Sequence, residues 1–470
     1  MTAGIQLGAR HCTTRARWQL GLAIAWLLFR VAPLVGQQDP GEVTGTPEAD
    51  DGASSAAEVY SGPAVLSRSS QPTVPGDLYD TIQPFLSLNR VYGTGLSGGL
   101  PGNGPDALQS GTEIGFGLRE THRWKRLTLH IEYDGNYRNY AAQTDSNGLN
   151  QLLTATAVSR LKRHLTLSVR QSAGTLRGDI GGLLLQPATS DSSSNLPNNE
   201  PFSNRLKFID SIVTLTYQKT RRLSFSASLE GYFLRESTPD VGTNSGTVTA
   251  DVGYRLSGRA TVGLDYSFSR FGYTTFGSAD VNRVAVDYSL RATKSVYLAF
   301  QMGIAHSNAV ALAAEPIDPE IAPILGTGTG VQVAYRSSNS PVINATLTKH
   351  WRRASAHLGY VNGISAGNGL VLAARAVSTT AGFEYASSNR WTFSAQVGRT
   401  TMAELAAAGS YAETTMGASL SRLIRPGVQA VARFDVRPVS YIGSLGLNRT
   451  YYLGEVGFIF SPSERPIALR

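Results

Sequence analysis

The chain has 470 residues, of which 16% are charged and 41% are hydrophobic, and it holds 49 Gly and a single Cys. Soluble domains contain about a quarter charged residues, so charge is scarce here, whereas the mean hydropathy of −0.12 is too low for a bundle of membrane helices. These values exclude a disulfide scaffold, a collagen-like chain and a wholly disordered protein. They are compatible with a membrane protein whose apolar residues alternate with polar ones.

The N-terminus has the pattern of an export signal. Arg10, Arg15 and Arg17 precede an apolar run at 18–29. A helix needs about 20 apolar residues to cross a bilayer, so this run is too short for the alternative of an uncleaved anchor. A basic segment followed by a short apolar core predicts a signal peptide over residues 1–36. The lone Cys12 would leave with it.

The next segment, residues 37–80, is acidic. It holds eight Asp and Glu residues against Arg68 and is rich in Pro, Gly, Ser, Thr and Ala. With almost no aliphatic periodicity it has nothing to bury, so we expect a disordered periplasmic segment outside the folded body.

From residue 81 onward the hydrophobic pattern has a period of two. In 126–137, Leu127, Leu129 and Ile131 fall on one parity, and the residues between them are polar. The same alternation returns at 222–233, 259–270 and 294–304. Alternation at every second residue predicts strands with one apolar and one polar face.

The pattern predicts eighteen strands, within a range of 16 to 20. They lie near 81–93, 109–120, 126–140, 148–160, 164–174, 207–218, 222–235, 245–256, 259–271, 279–291, 294–306, 331–350, 354–364, 370–386, 390–401, 408–421, 426–439 and 449–460. Pro341 interrupts the twelfth, which we expect to be either one bulged strand or a strand with an inserted hairpin. Part of 370–381 could be loop.

Strand length and loop length favour a membrane barrel over a soluble sandwich. Strands of about ten to fourteen residues exceed the usual five or six, and roughly nine to eleven tilted residues cross a bilayer. Tight connections, such as 162–163, 220–221 and 352–353, alternate with long ones, such as 94–108 and 175–206. The fold prediction is therefore all-β: a transmembrane antiparallel up-and-down β-barrel over residues 81–460.

The final strand supports a family resemblance. Tyr452, Gly454, Phe458 and Phe460 share one parity, and a short tail, 461–470, follows. Together with the signal peptide and the tight turns, this strand resembles the pattern of Gram-negative outer-membrane β-barrels of porin size. The resemblance implies an outer-membrane location, contact with outer-membrane lipid and recognition of the last strand by the barrel assembly machinery. It also implies a homo-trimer, although the sequence does not show which outward face would form the contact.

Charged residues of both signs fall on the inward parity of the predicted strands. Because buried charges need water or each other, they predict a hydrated lumen, which the segment 175–206 could narrow by folding inward. The predicted lumen-lining residues are Arg170, Asp210, Glu230, Asp251, Arg255, Asp265, Arg283, Asp287, Arg433 and Asp435.

Two groups of residues were weighed as chemical sites. His130, Glu132 and Asp134 share one strand face, but such residues lie about 7 Å apart, too far to ligate one metal ion without long side chains converging. Ser355 and His357 could be read as a nucleophile and base, yet Ser is abundant and such pairs arise by chance. We therefore predict no catalytic residues, no metal and no cofactor. Nucleic acid is not an expected partner, because the basic residues do not gather on one face.

Three functions fit these patterns. The favoured one is a porin-like channel for passive diffusion of small hydrophilic solutes or ions, in which inward charges set the preference. The alternatives are the outer-membrane component of a polysaccharide or polymer export or uptake system, and a surface structural or adhesion barrel with a closed lumen.

Overall fold

The computed structural model describes residues 81–94, 108–140, 147–176, 206–236, 242–274, 277–316, 320, 324, 329–367, 372–387, 391–405, 409–442 and 447–461. The predicted signal peptide, the acidic segment and nearly all of the C-terminal tail lie outside these residues, as does most of 175–206. Within them, no helix has the length and apolar character needed to cross a membrane.

Eighteen strands account for nearly all of the described chain. They are β1 (Thr81–Gly93), β2 (Gln109–Arg123), β3 (Leu127–Tyr140), β4 (Gly148–Lys162), β5 (Leu165–Leu176), β6 (Leu206–Gln218), β7 (Leu223–Glu236), β8 (Gly242–Arg255), β9 (Ala260–Tyr273), β10 (Ser278–Thr293), β11 (Val296–Pro316), β12 (Thr329–His350), β13 (Ala354–Gly367), β14 (Leu372–Ser387), β15 (Trp391–Glu404), β16 (Ser410–Arg425), β17 (Val428–Ile442) and β18 (Leu447–Phe460). This confirms the predicted strand number.

The sheet closes on itself. Each strand pairs antiparallel with the next along the chain, and β1 also pairs with β18, from Leu86 opposite Phe460 to Gly93 opposite Leu453. Pairing of the first strand with the last closes the sheet, which is the condition for placing strands in hydrocarbon, where unpaired backbone groups find no partner. The predicted up-and-down antiparallel barrel is confirmed.

The two ends of the barrel differ in their connections. At one end, here called the tight-turn end, strands are joined by two to four residues. At the other, the loop end, connections run from four to 29 residues. Gly427, with φ of 80°, allows one of the tightest turns, between β16 and β17. In bacterial outer-membrane barrels short turns face the periplasm and long loops face outside.

The hairpin of β11 and β12 is longer than predicted. The segment 307–316 was expected to be loop, but β11 continues through it, and β12 is one unbroken strand rather than a strand with an inserted hairpin. Pro341 fits because β12 pairs with β13 only from Ile343 onward, while its other side pairs with β11 along its whole length. Since Pro has no N–H to donate, it is tolerated where a strand lacks a second neighbour.

The outer wall is apolar. Residues on the outward parity are largely exposed, and many are large and hydrophobic, as with Leu88, Leu229 and Val456, which are 55%, 57% and 60% exposed. A soluble protein rarely exposes a continuous apolar surface of this extent. The wall thus has the character of a surface that contacts lipid.

Candidate functional site on the inner wall

All ten residues predicted to line the lumen lie on the inner wall. Strand register fixes this: Asp265, for example, is 4% exposed between Leu264 and Tyr266, which are 52% and 48% exposed on the outside. Arg255 differs from the others because its guanidinium donates to the backbone oxygens of Ser257 and Gly258 in the adjoining turn. It therefore belongs to the tight-turn rim rather than to the middle of the lumen.

An acidic region, here called the β8–β10 carboxylate row, crosses three neighbouring strands. Asp251 lies directly opposite Asp265, and Asp287 follows on the next strand. Gly263 leaves a gap between them, since a Cβ there would sit 3.4 Å from both Asp251 Oδ2 and Asp287 Cβ. The single guanidinium of Arg283 pairs with Asp265 at 3.1 Å. Three carboxylates and one cation make this stretch of wall negative.

The remaining predicted residues of this side lie on β5 to β7. Arg170 Nη2 is 3.7 Å from Asp210 Oδ2, an ion pair in which the carboxylate is buried and the guanidinium is about one-third exposed. Glu230 faces inward on β7, opposite Ile212. Hydroxyl groups interleave with the charges, as where Ser226 donates to Asp251 at 3.2 Å. Polar groups therefore continue around this half of the wall.

A second charged region, here called the β16–β3 charge cluster, lies on consecutive strands about half-way around the closed sheet from the carboxylate row. Arg433 and Asp435 form an ion pair on β17, and Arg437 Nε is 2.5 Å from Glu413 Oε1. Across the β1–β18 closure, Arg138 Nε is 3.1 Å from Glu113 Oε1. The side chains of these pairs are between 4% and 11% exposed, so the cluster is packed rather than open.

Only Arg433 and Asp435 of this cluster were predicted from the sequence. Glu113, Arg138, Glu413, Arg437 and Glu455 were missed, although each lies on the inward parity of a predicted strand. Tyr140 and Tyr411 also contribute, donating hydroxyl hydrogen bonds to Glu113 at 2.5 Å and to Glu413 at 2.6 Å. The same alternation rule, applied to β2, β3, β16, β17 and β18, would have found these carboxylates and guanidinium groups.

Apolar side chains line the inner wall toward the loop end. On one side, Ala373 at the start of β14 packs with inward residues of β9 to β12, of which β9 is five strands away in the sheet. Its N–H donates to Tyr273 Oη at 2.7 Å. Ala373 has φ of 42°, a left-handed conformation that non-glycine residues rarely adopt. This contact joins strands that are not neighbours in the closed sheet, which places it inside the barrel near the loop end. The buried residues of this apolar cluster are Phe271, Ala279, Val281, Ala305, Ala309, Ala311, Val342, Ala373 and Leu405.

The two groups weighed as chemical sites have other partners. His130 Nδ1 is 2.9 Å from Thr121 Oγ1, and Glu132 pairs with Arg119 at 2.6 Å. Ser355 Oγ donates to Glu384 at 3.4 Å rather than to His357. Among the described residues, no group of three or more Asp, Glu, His or Cys side chains is placed to hold a metal ion.

The residues of the predicted assembly signal lie on β18, which closes the barrel against β1. Tyr452, Phe458 and Phe460 face outward and are 46%, 55% and 46% exposed. Gly454 lies opposite Tyr92 on the same face. The last strand therefore presents an aromatic outer surface.

Of the comparisons with known proteins, only the one with solved structures found similar chains. No protein-family model and no curated protein matches the chain. The crystal structure of Pseudomonas aeruginosa OpdQ is similar with 12% identity and a TM-score of 0.41, covering 82% of this chain and 98% of that one. The outer membrane protein opdK from Pseudomonas aeruginosa is similar with 10% identity and a TM-score of 0.40, covering 81% of this chain and 99% of that one. The FrpB iron transporter from Neisseria meningitidis (F3-3 variant) is similar with 10% identity and a TM-score of 0.40, covering 77% of this chain and 63% of that one.

Proposed function

We propose that the protein is an outer-membrane channel through which small hydrophilic solutes or ions diffuse passively. The observation that carries this proposal is the contrast between the two faces of one closed sheet. The outer wall exposes large apolar side chains, and the inner wall holds carboxylates, guanidinium groups and hydroxyls. Such a sheet is stable only with lipid outside and water or paired charge inside.

The size of the barrel supports a lumen that conducts. Small barrels of about eight strands are filled by their own side chains, whereas barrels of 16 to 18 strands leave an aqueous channel. Inward residues of β5 and β7 from the tight-turn end to the middle of the strands, such as Ser168, Ser226 and Glu230, are partly exposed. Water therefore reaches this part of the inner wall.

The apolar contact between Ala373 and the β9–β12 wall supports a narrow channel rather than a wide pore. Leu405 belongs to this contact and is 8% exposed. A solute would have to pass the remaining opening beside it, next to the β8–β10 carboxylate row or the β16–β3 charge cluster. Selection by size and charge at this level is the expected behaviour.

Single-channel recording of the purified protein in a planar bilayer tests the proposal. The wild type is expected to conduct, and Leu405→Ala, which trims the narrowing contact, is expected to raise the unitary conductance. Leu229→Ala is the matched control, because Leu229 faces outward and its truncation should leave conductance unchanged. Silence of the wild type, in preparations shown to be inserted and folded, would contradict the channel.

The same apolar contact favours one second candidate, a structural surface barrel with a closed lumen. In that case Tyr273, Ala373 and Leu405 would seal the barrel rather than narrow it. The Leu405→Ala recording separates the two: a sealed barrel gives no current in the wild type and a measurable current only after truncation.

A further inference from the structure

The junction between β12 and β13 is split toward the loop end. The two strands pair over eight residues of β12, from His350 to Ile343, which lies opposite Asn362. Beyond this pair both chains continue as strands, β12 as far as Thr329 and β13 as far as Gly367, without pairing to each other. Among the described residues, no other two neighbouring strands separate for five or more residues while both remain strands. We call this split the β12–β13 seam.

At the seam, the outer face of one part of the sheet packs on the inner face of another. Ile364 has the outward parity of β13, which it shares with the exposed Leu358. Ala373 of β14 and Leu405, which follows β15, also have the outward parity of their strands. All three nevertheless pack with the inward apolar residues of β9 to β12, and Asn362, again on the outward parity, is only 4% exposed. The loop ends of β13 to β15 therefore lie on the lumen side of β12, and the wall overlaps itself there.

The foot of the seam lies at the level of the apolar outer wall. Ile304, opposite Pro341, and Leu358 on β13 are 56% and 54% exposed on the outside. Only two residues farther toward the loop end the outward pair becomes polar, where His306 Nδ1 is 2.8 Å from Asn339 Oδ1. Pro341 has no N–H to donate to β13, so the ladder ends where the wall still contacts lipid. Eight paired residues are also fewer than the roughly nine to eleven that cross a bilayer. The seam therefore starts within the hydrocarbon.

The overlapping layers are joined mainly by small side chains. Five of the nine buried residues of the apolar cluster are alanines, and each buries little apolar area. Ala373 has φ of 42°, a conformation that costs a non-glycine residue about 1 to 2 kcal/mol. The hydrogen bond from its N–H to Tyr273 Oη holds it there. Layers joined in this way separate at a small cost, so the seam is built to open.

The groups at the seam suit a molecule with one alkyl chain and an oxygen-bearing head. The apolar cluster offers the chain a dry surface, whereas Ser340 and Asn362, one on each side of the split, are polar and buried. Backbone groups along the separated edges also need partners, which hydrocarbon does not supply and a polar head does. Long loops place this end of the barrel outside the cell. We infer that the β12–β13 seam is a lateral opening through which the alkyl chain of a single-chain amphiphile in the outer leaflet reaches the inner side of the wall. The inference rests on the proposed outer-membrane location but not on conduction.

Fluorescence quenching in lipid vesicles tests this inference on the full barrel in a Cys12→Ser background. A bimane label on Gly363→Cys reports on the seam, because Gly363 has the inward parity beside the split and a Cβ there meets nothing within 4 Å. The quencher is methyl stearate that carries a nitroxide on its chain, dissolved in the vesicle lipid. Reference labels sit at Ser228→Cys, which faces inward on β7 away from the seam, and at Gly231→Cys, which faces lipid. Quenching at Gly363 is expected to exceed that at Ser228 and to stay below that at Gly231.

The hydrogen bond that holds Ala373 supplies the second measurement. Tyr273→Phe removes the hydroxyl that accepts this bond, so the excess quenching at Gly363 over Ser228 is expected to rise about threefold, the effect of one lost hydrogen bond. Tyr232→Phe is the matched control, because Tyr232 is a buried inward tyrosine on β7, and it should leave the quenching unchanged. Equal quenching at Gly363 and Ser228 in both the wild type and Tyr273→Phe, in barrels shown to be folded, would overturn the inference. A seam that admits the chain in a barrel that passes no current refutes only the channel.

Discussion

At the scale of residues, the barrel holds ion pairs in very different surroundings on its two faces. Arg437 and Glu413 are 6% and 8% exposed and 2.5 Å apart, whereas Arg270 and Asp280 on the outer wall are 69% and 41% exposed and 3.6 Å apart. Removing one partner of a buried pair leaves a charge without compensation in a place that water does not reach. Removing one partner of an exposed pair leaves the other solvated.

We therefore expect Arg437→Leu to lower the free energy of unfolding by about 3 to 5 kcal/mol. The exposed counterpart Arg270→Leu should lower it by no more than about 1 kcal/mol. Urea-induced unfolding of both variants in the same detergent measures the difference. Adding Glu413→Gln to Arg437→Leu should restore part of the loss, because the uncompensated carboxylate is then neutral. Similar losses in Arg437→Leu and Arg270→Leu would contradict the packed environment of the β16–β3 charge cluster.

At the scale of elements, β12 has two halves with different neighbours. From Ile343 to His350 it pairs with both β11 and β13, while among the described residues the half nearer the loop end pairs with β11 alone. Backbone groups on its unpaired side depend on water or side chains instead. This half is therefore expected to open more readily than any strand held on both sides.

Hydrogen exchange should resolve this difference. Peptides covering 329–342 are expected to take up deuterium faster, per amide, than peptides covering 297–309 of β11, which pairs with both β10 and β12 over that range. The comparison is internal, because the two segments belong to one hairpin in one preparation. Equal uptake would mean that the loop-end half of β12 is protected on both sides.

The sequence predicts strands far better than it predicts contacts between them. Alternation places Arg433 or Asp265 on the inner face, because strand parity is a local property. The β11 extension was missed because Ser307 and Asn308 have loop propensity, while pairing with β10 and β12 holds them in a strand. The contact of Ala373 with Tyr273 joins positions 100 residues apart, and nothing in the local sequence of either one indicates it.

At the scale of the whole molecule, the outer and inner faces of the barrel differ in their balance of basic and acidic residues. Basic residues on the outer wall near the loop end and in the turns at the tight-turn end carry much of the positive charge, whereas acids exceed bases on the inner wall of β5 to β10. That region holds Arg170, Asp210, Glu230, Asp251, Asp265, Arg283 and Asp287. Ion preference in a pore follows the charges that line it rather than the net charge of the protein. A chain with formal net charge of +8 is therefore expected to form a channel that prefers cations.

Reversal potentials in a salt gradient measure that preference. The double variant Asp251→Asn with Asp287→Asn removes two charges from the β8–β10 carboxylate row, and it should lower the cation-to-anion permeability ratio by about twofold or more, because carboxylates lining a pore attract cations. Glu120→Gln is the control: Glu120 faces outward on β2, opposite Ile131, so its neutralisation should leave the ratio unchanged. An unchanged ratio in the double variant would show that the β8–β10 carboxylate row does not line the ion path. An anion preference in the wild type would instead show that the basic tight-turn rim controls entry.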